Sequence, residues 1–227
     1  MNREDIPLIK NILELSNNEV NTDLLYNILT VTQEFPDLAD DILDSYSRNQ
    51  FKSKKRILEM SNALDVLDKD CEVVIFGSWY GSILVPGLAD KVKQITCIDL
   101  DEQILQISKN RLFENYSNID YRAGDVFDMD LSRYHTTGLF INPSCEHMTP
   151  MKDFPYWPKF THFVFTSNNM FDIEGHVNVN FTQIKRIYLD HYAPQRLDDD
   201  DLMYDYVNAV MNPNNYAEII VGGGTVP

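Results

Sequence analysis

Apolar positions along this chain fall into two regimes. From residue 1 to about 68 they recur at helical spacing, with no strand signal. Ile6, Ile9, Ile12 and Leu13 form one stripe, and Leu24, Leu25, Ile28, Leu29 and Val31 form a second. Asn21-Thr22-Asp23 supplies N-cap residues for the second stripe, and Pro36 closes it. Leu38, Ile42 and Leu43 begin the next helix, and Ile57, Leu58, Met60, Leu64 and Leu67 continue the pattern. From about 69 to 170, short apolar runs alternate with helix-period segments. Such alternation predicts a parallel sheet with crossover helices. Beyond 170 it weakens. Ile184 to Tyr188 fits helix or strand, and Ala217-Glu218-Ile219-Ile220-Val221 reads as a last strand, entered from a turn at 212–215 and stopped by three glycines.

The ends of the predicted strands carry the chemistry. Val73-Val74-Ile75-Phe76 runs into Gly77-Ser78-Trp79-Tyr80-Gly81, followed by helix-compatible Ile83-Leu84-Val85. A glycine at such a turn lets backbone approach a ligand, because no Cβ intervenes. The helix start beyond it presents free N–H groups. Gln94 to Ile98 ends in Asp99, about twenty residues past the first glycine. A nucleotide-binding βαβ unit places there the carboxylate that accepts from ribose hydroxyls. Ile119-Asp120-Tyr121-Arg122 runs into Gly124-Asp125-Val126, and Gly138 to Ile141 ends in Asn142-Pro143. A fifth strand spans 161–166. Ligands of open α/β sheets bind at the carboxyl ends of the strands.

Composition narrows the partners. The 227 residues carry 19 Lys and Arg against 35 Asp and Glu, a formal charge of −16. The one basic cluster is Lys52, Lys54, Lys55 and Arg56, so the charge balance argues against nucleic acid as a partner. No apolar run is long enough to cross a bilayer, and the N-terminus lacks a secretory profile, which points to a cytoplasmic setting. Cys71, Cys97 and Cys145 read as small buried thiols.

The strand-end residues resemble the class I S-adenosylmethionine-dependent methyltransferase family. Gly77 and Gly81 match the first and third glycines of its first motif, and Trp79 stands where the second is expected. Asp99 matches the ribose-binding acid. Asp125 matches the adenine-contacting acid, with Val126 and Phe127 beside the base. Asn142-Pro143 matches the fourth motif, here continued as Ser144-Cys145-Glu146-His147. The combined motifs also look like a methyltransferase-like group seen in bacteriophages and marine microbes. The resemblance implies a doubly wound, mostly parallel Rossmann-like methyltransferase sheet with an antiparallel last strand. The resemblance covers roughly residues 69 to 170; the helical periodicity of residues 1–68 makes them an N-terminal helical extension or cap, with a cofactor domain over 69–227. S-adenosyl-L-methionine is the implied cofactor, held by Gly77, Ser78, Trp79, Gly81, Asp99, Asp125, Val126 and Asn142.

At the acceptor end, Asn142 and the Pro143 carbonyl would orient a nucleophile, and Glu146 with His147 would take its proton. Asn142, Glu146 and His147 are therefore the catalytic candidates. A Cys145 thiol nucleophile and a metal held by Glu146, His147 and His176 are weaker readings, because neither has a recognisable spacing, and no metal is expected. Ser167-Asn168-Asn169 falls on the same rim. Trp79 either walls the cofactor pocket or packs on the N-terminal helices. The expected activity is methyl transfer to a small molecule or a protein side chain. The alternatives are another use of the same cofactor, by a lyase or an aminocarboxypropyl transferase, and a non-catalytic interaction protein that keeps the fold.

Overall fold

The structure is a computed structural model that describes residues 22–63, 67–134, 138–149, 162–166, 174–175, 195–196, 205–206 and 209–211. The N-terminal region is helical as its periodicity requires: α1 (Thr22–Glu34), α2 (Ala39–Asp44) and α3 (Arg48–Ala63). Pro36 opens a short 3-10 turn, Pro36–Leu38, that separates α1 from α2. Proline fits a first helical position, where its missing N–H costs nothing.

The strands follow: β1 (Glu72–Phe76), β2 (Gln94–Asp99), β3 (Ile119–Ala123), β4 (Gly138–Asn142) and β5 (His162–Phe165). A five-residue helix, α4 (Leu84–Leu88), joins β1 to β2, and α5 (Glu102–Ile107) follows β2. The Asp101 carboxylate caps α5, accepting from Gln103 N at 2.9 Å and Ile104 N at 3.1 Å. The strand order is β3-β2-β1-β4-β5, all parallel, with a short strand at 209–211 completing the edge. That edge strand, Ala209–Met211, pairs antiparallel with β5. A separate two-stranded ribbon pairs Gln195–Arg196 with Asp205–Tyr206. The segment 217–221, expected as the last strand, lies outside the described residues, as do 184–188.

Strand β1 lies between β2 and β4, with Ile75 opposite both Cys97 and Ile141. Burial on both faces explains its unbroken apolar run. Val73 and Ile75 point into a core shared with Leu24, Ile28, Val31, Ile42 and Ile57 of the N-terminal helices. On the opposite face, Phe76 meets Phe140 at 5.7 Å and Phe165 at 6.1 Å between ring centroids. The N-terminal helices are thus packed onto one face of the sheet. Asn27 Nδ2 ties them to the Leu112 carbonyl beyond α5 at 3.1 Å.

The order of strand addition reverses between β1 and β4: the chain leaves β1 toward β2 and β3, then returns to β1's other side as β4. This switch point opens a crevice above the strand ends.

Candidate functional site

A cleft of about 550 Å³ lies over that crevice. Strands β1 to β4 each contribute the residue that ends them or the turn beyond. Gly77 and Trp79 follow β1, and Ile98, Asp99 and Leu100 end β2. Gly124, Asp125, Val126 and Phe127 follow β3, and Ser144, His147, Met148 and Thr149 follow β4. Helix α3 adds Gln50 and Lys54 from above.

The turn after β1 is built for close approach. Gly77 has φ +53 and Gly81 φ +68, values that side-chain-bearing residues seldom adopt. A Cβ on Gly77 would stand 2.5 Å from the Met148 methyl. A Cβ on Gly81 would meet Val85 at 2.8 Å, so this glycine serves packing of the turn on α4. Trp79 has φ +50, the conformation that makes glycine the expected residue there. Three contacts hold it. Its backbone N–H donates to Asp99 Oδ2 at 2.7 Å, its indole N–H donates to Asp41 Oδ2 at 3.2 Å, and its ring lies 5.6 Å from Tyr80. Trp79 therefore both lines the cleft and packs toward the N-terminal helices, the two orientations weighed from sequence.

Asp99 is positioned from both sides. Its Oδ1 accepts from Asp101 N at 3.1 Å while Oδ2 serves Trp79. A carboxylate oxygen has two lone pairs, so each retains capacity toward the cleft. Asp125 is exposed at the cleft, and its Oδ1 fixes the following turn by accepting from Phe127 N at 2.9 Å. Val126 is buried beside it. The glycine cradle, the two carboxylates and the apolar wall at Ile98, Val126 and Phe127 together suit an adenosyl group. The volume lies in the range of small-ligand sites.

Other expected residues lie behind the cleft wall. Ser78 is buried, its N–H bonded to the Ile98 carbonyl at 3.0 Å. Gly81 and Asn142 are likewise absent from the lining. Asn142 is 0% exposed. Its Oδ1 accepts from Ser144 N at 3.0 Å and its Nδ2 donates to Met148 Sδ at 3.3 Å. The amide thus shapes the loop after β4 and does not face an acceptor. Glu146 is also buried, 7% exposed at its side chain, with Oε1 4.0 Å from Nε2 of half-exposed His147. Only His147 of the three catalytic candidates reaches the cleft.

Cys145 is fully buried, its thiol 3.8 Å from the Asn142 carbonyl. Burial, reinforced by Glu146, pushes this thiol well above the ordinary range, which removes the thiolate a nucleophile needs. No group of three or more His, Cys, Asp or Glu able to hold a metal occurs among the described residues. His176 and Ser167-Asn168-Asn169 lie outside them. Among the described residues no helix is long and apolar enough to cross a membrane.

The sequence reading did not assign Lys54, Gln50 or Met148 to the site. Gln50 and Lys54 are four apart on α3 and so share a face. The Lys54 ammonium donates to Gln50 Oε1. Burial lowers its pKa to about 8, against the pull of Glu146 and then Asp44.

No protein-family model matches the chain, and neither does any curated protein. Solved structures of methyltransferases do resemble it. The 23S rRNA methyltransferase ErmE matches with a TM-score of 0.49 at 15% identity, over 74% of this chain and 70% of that one. A dimethyladenosine transferase from Plasmodium falciparum matches at 0.40 and 18% identity, over 51% of this chain and 42% of its own. Phosphoethanolamine N-methyltransferase 1 of Haemonchus contortus, solved with phosphoethanolamine and S-adenosylhomocysteine, matches at 0.39 and 13%, over 50% of this chain and 25% of its own. The chain spans less than two thirds of the length of these last two. The likeness is one of fold alone. The parallel strand order, with its switch at β1, is that of a Rossmann-like sheet.

Proposed function

We propose that this chain binds S-adenosylmethionine in the cleft and transfers its methyl group to a small molecule or a protein side chain. One observation carries the reading: the glycine turn, Asp99 and Asp125, from three successive strand ends, line the same cleft. Asp99 would accept from the ribose hydroxyls. Asp125 and Val126 would border the base. Gly77 would admit the sulfonium end against bare backbone.

When bound, the sulfonium supplies an electrophilic methyl group. The chain's own residues then have to align an acceptor and receive its proton. His147 stands at the cleft for that purpose, and the Glu146 carboxylate 4.0 Å behind it would stabilise the imidazolium. Asn142 would act at one remove, by holding Ser144 and Met148 in place. The N-terminal helices would serve as a wall of the cleft.

The charge-based exclusion of nucleic acid is withdrawn. The similar folds above include enzymes named for RNA and for small molecules, and Lys54 of α3 lines the cleft. RNA therefore belongs among the acceptors to be screened.

Incubation with labelled cofactor and candidate acceptors tests the reading. S-adenosylhomocysteine is the expected product. Methylthioadenosine would instead indicate lyase or aminocarboxypropyl chemistry, and failure to bind either compound would leave a non-catalytic protein.

A further inference from the structure

The cleft is electrically divided. Its two carboxylates, Asp99 and Asp125, follow β2 and β3. Lys54 is the one Lys or Arg among the described residues lining it. It feels the charges of Glu146, which follows β4, and of Asp44 of α2, and its helix α3 packs beside β5, the neighbour of β4. In the strand order β3-β2-β1-β4 the acids and this cation thus fall on opposite sides of the Gly77 turn. S-adenosylmethionine has its ribose hydroxyls at one end, and at the other its amino-acid arm carries one anionic group, the carboxylate, next to its α-ammonium.

We propose that the Lys54 ammonium, presented by α3 on the β4 side of the Gly77 turn, receives the cofactor's carboxylate, so that the N-terminal helices complete the cofactor site. This rests on the cofactor reading above. Gln50 holds the side chain from its own helix. Glu146 and Asp44 attract the ammonium without undoing its desolvation, since its pKa stays at about 8. A cation in that state gains from an arriving carboxylate, and its proton is held more firmly once the pair forms. Among the described lining residues His147 is the other titratable group on this side, and Asp99 and Asp125 are the charges facing across the cleft.

The test compares S-adenosylhomocysteine with 5′-methylthioadenosine, which keeps the adenosyl thioether and lacks the amino-acid arm. Calorimetry on the full chain is expected to show Lys54→Met weakening S-adenosylhomocysteine by about 10- to 100-fold, the range of a lost charge-assisted hydrogen bond. Methylthioadenosine should bind the variant within about twofold of wild type, since it has no carboxylate to lose. Lys54→Arg should retain most of the affinity. At pH 8 the wild type should take up about half a proton on binding S-adenosylhomocysteine, read from heats in buffers of different ionisation enthalpy, and Lys54→Met should take up none. Equal weakening of both ligands by Lys54→Met, or none of either, overturns the assignment while the cofactor reading stands. If wild type binds neither ligand, both fall.

Discussion

Trp79 shows how much a single residue can hide. Its place in the glycine motif is legible, but its direction is not, because Asp41 reaches the indole from a helix 38 positions away. A left-handed backbone at a bulky residue costs about 1–2 kcal/mol. The bond to Asp99 and the contacts of the ring offset it. Asp99 therefore has two duties. Asp99→Ala should reduce S-adenosylhomocysteine affinity by at least about tenfold, by stripping hydrogen bonds from the ribose. It should also lower urea stability by about 1–3 kcal/mol, because the N–H groups of Trp79 and Asp101 lose their acceptor. Calorimetry and denaturation on one preparation check both. Undiminished affinity would remove Asp99 from the ribose site. Trp79→Phe keeps a ring and gives up only the indole bond, so its loss should stay near about 1 kcal/mol.

Elements obey their local signals closely. The five parallel strands begin and end within a residue or two of the runs that predicted them; β1, β2 and β4 do so because buried strands must be apolar on both faces, while the half-buried edge strand β3 alternates apolar and polar residues. Asp101 is a second local signal: Asp101→Ala should cost about 1 kcal/mol in a thermal or urea melt, the usual value of a lost N-cap. Helix α3 shows what local reading misses. In sequence Lys52, Lys54, Lys55 and Arg56 form one basic cluster. Wound into a helix they point in different directions, at about 100° per residue. Lys54 turns into the cleft with Gln50, Lys55 lies 5.8 Å over the Phe51 ring, and Arg56 pairs with Glu59 at 2.9 Å. The helical register was available from sequence, but the face that meets the sheet was not.

At the scale of the whole molecule, one hydrophobic core joins the N-terminal helices to the sheet, and it takes the thiols with it. Burial raises the pKa of Cys71 from 9.0 to about 11 and of Cys97 to about 12. Both keep their protons in the folded state at pH values where the unfolded chain has lost them. Their contribution is complete below about pH 9 and is lost as pH rises through 11 and 12. Stability measured by urea unfolding should fall over that window, and Cys71→Ala with Cys97→Ala should flatten the fall. A thiol reagent at pH 8 should leave all three cysteines unmodified until the protein unfolds, since all three are buried.

The sequence by itself determined the strand and helix pattern, the glycine turn, and the acids Asp99 and Asp125 at strand ends, because those depend on burial period and on residues adjacent in the chain. The tertiary structure alone decided which of these face a common cleft. Asn142 and Glu146 were drawn behind its wall by the loop after β4, and Lys54 was brought into it from a helix packed on one face of the sheet. Which face of an element is buried depends on what packs against it, and that partner can lie far away in sequence.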